Sequence, residues 1–93
     1  MDKKWDFPYW MYVLRYLNRY SDDVYQSQVS KELDVTYSHT VKIMDVLHKD
    51  GLLSFRAEGR IKFVSLTVKG KVLADLIDKL MTNCNIEIKR GVR

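Results

Sequence analysis

The chain has 93 residues, 46% of them hydrophobic and 30% charged, with four Gly and one Pro. That is room for one compact domain, and the balance excludes a disordered, collagen-like or Pro-rich chain. Lys and Arg outnumber Asp and Glu by 16 to 12, and the resulting +4 permits a polyanionic partner without demanding one.

In chain order, residues 6–20 place Pro8 where a first helical turn tolerates it and repeat apolar residues at Trp10, Val13, Leu14 and Leu17, which predicts a helix. Its flanks carry Tyr9, Tyr12, Tyr16 and Tyr20, more ring surface than one side of a small core covers, and a partner subunit is the expected cover. Ser21, Asp22 and Asp23 break the pattern, and Val24-Tyr25 reads as a short extended piece. A second short helix is expected from about Ser27, with Val29 and Leu33 one turn apart. Val35-Thr36 turns the chain into a third helix over 36–50, capped by Thr36, with Thr40, Ile43, Met44 and Leu47 on one face and Gly51 as its stop.

After Gly51 the period changes. Leu53 to Arg56 and Ile61 to Leu66 alternate around Ala57-Glu58-Gly59-Arg60, the pattern of a hairpin with Gly in its turn. Thr67 then caps a fourth helix, whose apolar surface runs through Val72, Leu73, Leu76, Ile77, Leu80, Met81 and Cys84. Residues 86–93 read as a short, mostly polar tail with a basic end. The division expected is therefore one domain over 1–85, with helices 6–20 and 67–84 available for dimerisation, followed by the tail.

Helix, short strand, helix, helix, two-stranded hairpin, helix (α1-β1-α2-α3-β2-β3-α4) is the order of a winged helix-turn-helix domain, a mainly α fold with a small β-hairpin (α+β). From Ser27 to Ala74 the chain resembles winged-helix transcriptional regulators of the MarR and PadR kind. Val29-Ser30-Lys31-Glu32-Leu33-Asp34-Val35-Thr36 is similar to their second helix and turn, and Met44-Asp45-Val46-Leu47-His48-Lys49-Asp50-Gly51-Leu52-Leu53 to the end of their recognition helix. Gly59-Arg60 and Leu66-Thr67-Val68-Lys69-Gly70 resemble their wing and the start of their last helix. Asp34 stands where those proteins usually have Gly; Asp tolerates a left-handed backbone better than most residues. The small size is also similar to that of minimal winged-helix regulators carried by archaeal viruses and plasmids.

Physics independently favours putting the third helix in DNA. With Thr40, Ile43, Met44 and Leu47 turned inward, Tyr37, Ser38, Val41, Lys42 and Asp45 face outward, and those near the N-terminal end reach base edges when such a helix enters a major groove. Tyr37, Ser38 and Lys42 can hydrogen-bond a base or phosphate, and Val41 can meet a thymine methyl. The wing, residues 56–62, brings Arg56, Arg60 and Lys62. Between residues 56 and 71 five basic side chains stand against the single acid Glu58, a balance equal to the net charge of the whole chain. Arginine at a hairpin tip suits a narrow minor groove or a phosphate.

Other chemistry has little to stand on. Arg15 and Arg19 interrupt the first apolar region, and Asp75, Asp78 and Lys79 the last, so no stretch approaches the ~18 apolar residues of a membrane span. The first residues show no signal-peptide pattern, and the cytoplasm is the expected compartment, that of the host if the chain is viral. Cys84 is the single cysteine, and with His39 and His48 it makes no zinc site by spacing; no cofactor is expected. The two histidines read as ordinary surface or half-buried residues, and no nucleophile, base and orienter are tied together, so an enzyme is not expected.

The reading is a homodimeric winged helix that binds double-stranded DNA in a sequence-specific way and regulates transcription. Tyr9, Tyr12, Tyr16, Leu73, Ile77, Leu80 and Cys84 are assigned to the dimer interface. Cys84 near the two-fold axis is either one half of an intersubunit disulfide or a free thiol. The alternative function is a protein-interaction or assembly module in which the basic wing is solvated and Tyr37 and Val41 face a protein. A sensor that releases DNA on binding a small molecule is a third possibility, though the sequence names no effector.

Overall fold

The computed structural model describes residues 7–20 and 24–92, with side chains through Asn83. The order is α1 (Tyr9–Arg19), β1 (Val24–Tyr25), α2 (Gln26–Glu32), α3 (Tyr37–Lys49), β2 (Leu53–Glu58), β3 (Ile61–Leu66) and α4 (Val68–Val92). This is the winged-helix arrangement expected from the sequence.

Local signals explain most of the boundaries. Pro8 has an extended backbone (ψ 153°) and stands ahead of α1 as its N-cap residue, not within the first turn, so the helix begins at Tyr9 instead of residue 6. The residue preceding a proline is pushed out of the helical region, which bars a start upstream of it. Asp34 takes φ 57°, the left-handed conformation that ends α2. The Asp34 N–H then donates to Lys31 O and the Val35 N–H to Ser30 O, the paired bonds of a Schellman ending. The same motif closes α3: Gly51 has φ 79°, its N–H donates to His48 O, and the Leu52 N–H donates to Leu47 O.

The three strands form one antiparallel sheet in the order β1-β3-β2, with Val24 opposite Val64 and Leu53 opposite Leu66. The hairpin is tighter than its composition suggested. The strands run on to Glu58 and from Ile61, leaving Gly59 and Arg60 as a two-residue loop. Gly59 has φ 64°, as the first central residue of a type II′ turn requires. The core lies between this sheet and the helices, with Val13, Leu14 and Leu17 of α1, Val29, Met44 and Leu47 of the helix-turn-helix, Leu53 and Val64 of the sheet, and Ala74, Ile77 and Met81 of α4.

The start of α4 is locked to the end of α3. The Thr67 hydroxyl donates to Gly51 O at 2.7 Å and accepts from the Gly70 N–H at 3.0 Å, while the Thr67 N–H donates to Leu52 O. Gly70 is buried against the same Leu52 carbonyl, where a Cβ would collide with backbone. The far flank of α4 is tied to α1 by polar contacts. Arg15 Nε donates to Asp78 Oδ1 at 3.1 Å, and Asn18 Nδ2 bridges Asp75 and Asp78 at 2.9 and 3.0 Å.

The Asn18 hydrogen bond, followed by the charge of Lys71, holds the Asp75 carboxyl below its ordinary value. A carboxyl depressed in the folded state stabilises the fold at neutral pH and loses that contribution as pH falls through its folded pKa. Asp75 is exposed, so the effect is small. Thermal melts between pH ~5 and ~2 should show a slightly flatter acid dependence in Asp75→Asn than in the wild type; identical slopes would contradict this.

Two expectations about α4 change. Ile77, assigned to the dimer face, is only 3% exposed and lies in the core of its own chain, as does Met81. Among the described residues the aliphatic side chains of α4 left outside are Val68, Val72, Leu76 and Leu80, at 84%, 57%, 57% and 47% exposure. The helix also runs through Val92, so residues 86–92, read as a tail, continue it. No proline interrupts that stretch, and Asn83 and Asn85 are weak stops. The side chain of Cys84, and with it the disulfide question, lies outside the described residues.

Candidate nucleic-acid interface

Helix α3 is held by its N-cap and by its buried face. The Thr36 hydroxyl accepts from the His39 N–H at 3.3 Å, and Thr40, Met44 and Leu47 are buried. The opposite face is open: Tyr37 is 53% exposed, Ser38, Lys42 and Asp45 are exposed, and Val41 is half-buried. These are the positions that the helical period assigned to the outside.

The hairpin stands beside this helix, and its register sorts the basic residues by face. Phe55 lies opposite Val64 and Ala57 opposite Lys62, so Phe55, Val64 and Lys62 share the side of the sheet that carries the core. There the His48 ring of α3 packs on Phe55, centroids 4.8 Å apart, and Lys62 Nζ sits 4.6 Å from the centre of the same ring. His48, Phe55 and Lys62 thus connect α3 to the wing, and Arg60 lies at the hairpin tip. Arg56 is on the other face, opposite Phe63, with its guanidinium 4.7 Å from that ring and 3.5 Å from Glu58. The sequence groups Arg56 with Arg60 and Lys62, whereas the register separates it from them.

Two further cations leave the wing. Lys69 Nζ donates to Asp50 O at 3.1 Å, and Lys71 Nζ donates to Asn18 Oδ1 at 2.8 Å, both against the body of the domain. Of the five basic residues between 56 and 71, Arg60 and Lys62 therefore remain beside α3, with Lys42 on the helix itself.

Two of the tyrosines assigned to a dimer interface are occupied within the chain. The Tyr9 ring stacks on His39 with centroids 5.5 Å apart, and its hydroxyl lies 2.8 Å from Thr40 Oγ1. Thr40 spends its own proton on Thr36 O, so Tyr9 is the donor. Burial pushes the Tyr9 phenol above its ordinary value. The Tyr16 hydroxyl accepts from Gln28 Nε2 at 3.2 Å, and its ring packs on Tyr20. Tyr12 meets Phe7 edge to face. The tyrosine flank of α1 thus reaches α2 at Gln28 and α3 at His39 and Thr40.

Beside Tyr37 opens a shallow cleft of about 490 Å³, lined among others by Tyr25, Gln28, Lys31 and Asp34. Among the described residues no three His, Cys, Asp or Glu side chains gather as a metal site, and no helix is long and apolar enough to cross a membrane.

No protein-family model and no curated protein sequence matches the chain. Solved structures do. Staphylococcus aureus MepR in a complex with DNA superposes with a TM-score of 0.80 at 16% identity, over 95% of this chain and 67% of that one. The transcription regulator MarR from Oenococcus oeni gives 0.77 at 23% identity, over 89% and 65%. Streptococcus pneumoniae FabT in complex with DNA gives 0.75 at 24%, over 100% and 66%. The chain has the winged-helix fold of these MarR-type regulators, and it spans about two thirds of their length.

Proposed function

We propose that this chain is a sequence-specific double-stranded DNA-binding protein that regulates transcription as a homodimer, with α3 in the major groove and the wing on the minor groove or backbone. The observation that carries the reading is the joint placement of Ser38 and Lys42 on the open face of α3 with Lys62 on the hairpin beside it, linked through His48 and Phe55. Proteins of the same fold have been solved on DNA. Tyr37, Ser38, Val41 and Lys42 are the base-reading candidates, while Arg60 and Lys62 neutralise phosphate. Arg56 serves the wing by bracing Phe63 and does not lead the contact.

The second copy packs on α4. Val72, Leu76 and Leu80 recur at i, i+4 and i+8 and leave an aliphatic stripe facing water in the single chain. Leu73 borders that stripe and stays in the proposed interface, whereas Tyr9, Tyr16 and Ile77 are taken up by their own chain. A two-fold pair presents two copies of α3 to a near-palindromic site.

Duplexes selected from a random pool by the purified protein and then sequenced should converge on such a site. On it, Lys42→Ala should lose about 1 to 3 kcal/mol of discrimination against mismatched sites. Arg60→Ala should weaken selected and random duplexes alike and lower the salt slope by about one ion. A pool that fails to converge contradicts sequence-specific binding, and an Arg60→Ala protein with wild-type affinity and slope contradicts the wing contact.

A further inference from the structure

A recognition helix in the major groove has a sugar-phosphate wall on each side. On the flank of α3 that faces the hairpin, His48 packs on Phe55 and Lys62 lies over the same ring. The opposite flank faces α1, and its residues, one helical turn apart in series, are His39, Ile43 and Val46. Of these three, His39 alone has a side chain that hydrogen-bonds. It is exposed, lies in the first turn of α3, and follows directly on Tyr37 and Ser38.

Its ring is also held in place. Tyr9 stacks on it at 28° between planes, and Tyr9 is fixed in turn by the hydrogen bond to Thr40, whose hydroxyl is bound to Thr36 O. Three residues thus fix one exposed imidazole, an arrangement that a solvated histidine does not need. The reading rests on α3 lying in the groove. We propose that His39 is a DNA-contact residue, donating a hydrogen bond to a phosphate oxygen on the α1 side of the recognition helix, and that Tyr9 is its positioning residue.

The contact is proton-linked. Imidazole is the side chain that gains its charge between pH ~8 and ~5.5, and a phosphate favours the charged form. The groups facing the ring are the Tyr9 phenol on α1, kept neutral by its burial, and Lys42 one turn along α3. Among the described residues His39 makes no ion pair, so a phosphate has no carboxylate to displace. A cation formed on the ring is also favoured by the aromatic face beneath it. Affinity for duplex DNA therefore rises as pH falls from ~8 to ~5.5.

Equilibrium binding to a duplex is measured against salt at pH ~8 and ~5.5 for wild type and His39→Gln, with the chain's other histidine, His48, left in place in both. Wild type should bind about tenfold more tightly at the lower pH, with a salt slope steeper by about one ion, and His39→Gln should lose both increments. In a second measurement, the imidazole resonances of His39 should titrate at higher pH on the DNA complex than in the free protein, and Tyr9→Leu, which removes the stacked ring, should reduce that shift. If His39→Gln keeps the full pH increment, or if DNA leaves the His39 titration unmoved, the contact is overturned while DNA binding stands. If the wild type binds no duplex at low salt at either pH, the underlying reading falls with it.

Discussion

Replacing Gly70 by Ala should destabilise the domain by about 3 kcal/mol, the upper part of the range for forcing extra volume into a packed interior. The reason is local and rigid. The atom in the way of a new Cβ is the Leu52 carbonyl oxygen, a backbone group that cannot rotate aside like a side chain. That carbonyl already accepts from the Thr67 N–H, and Thr67 bonds Gly51 on one side and Gly70 on the other. Relief of the clash must therefore move α4 away from the end of α3 and disturb all of these bonds. Alanine is the better helix former by roughly 0.8 to 1 kcal/mol, which offsets only part of the clash. Thermal unfolding should begin some 12 to 24 °C lower, at the usual 4 to 8 °C per kcal/mol for a domain of this size. A Gly70→Ala protein that melts at or above the wild type would show that α4 does not approach Leu52 as described.

The Leu76→Asp protein should be monomeric, and its affinity for a two-half-site duplex should fall by about 10²- to 10⁴-fold. Leu76 is 57% exposed in the single chain, at the centre of the stripe formed with Val72 and Leu80. An Asp there remains hydrated in a monomer, so the domain itself keeps its fold. In a dimer packed through α4 the same carboxylate is buried near its symmetry mate, and two like charges without partners are strongly unfavourable. Loss of the second subunit removes the second half-site from the same binding event, which accounts for the large effect on DNA without any change to α3. Sedimentation at micromolar concentration, read together with the melting temperature, checks this. A Leu76→Asp protein that stays dimeric and binds like the wild type excludes α4 as the interface.

What was legible in the sequence had local causes. Thr36 and Thr67 were readable as caps because a cap bonds within its own first turn, and both hydroxyls do so. Gly51 is readable as a helix end, and it takes positive φ, as does Asp34, which the resemblance puts in the turn. The face of α3 followed from its buried period, with Thr40, Met44 and Leu47 inward. What was not legible depends on partners distant in the chain. Leu76 and Ile77 are both aliphatic members of one helix, and only the packing of α4 on α1 decides that Ile77 is buried and Leu76 is not. Tyr9 reaches Thr40 across 31 residues, a contact that periodicity within α1 cannot reveal, so from the sequence its ring looks like surplus surface. Arg56 and Lys62 look alike as wing cations, and it is the pairing of Ala57 with Lys62 and of Arg56 with Phe63 that puts them on opposite faces. The alternation along each strand was the available signal for that separation, once the two-residue turn at Gly59 and Arg60 was recognised.

On this reading the open face of α3 and the adjacent wing are a surface for duplex DNA. It is tested most directly by the equilibrium affinity of the purified wild-type protein for its selected duplex and for a scrambled duplex across a salt series. Binding to both is expected, with a log–log salt slope of several ions for each and an affinity for the selected site at least ~10³-fold the higher. Absence of binding to either duplex at low salt would contradict it and favour a winged helix whose exposed Tyr37 and half-buried Val41 meet a protein partner.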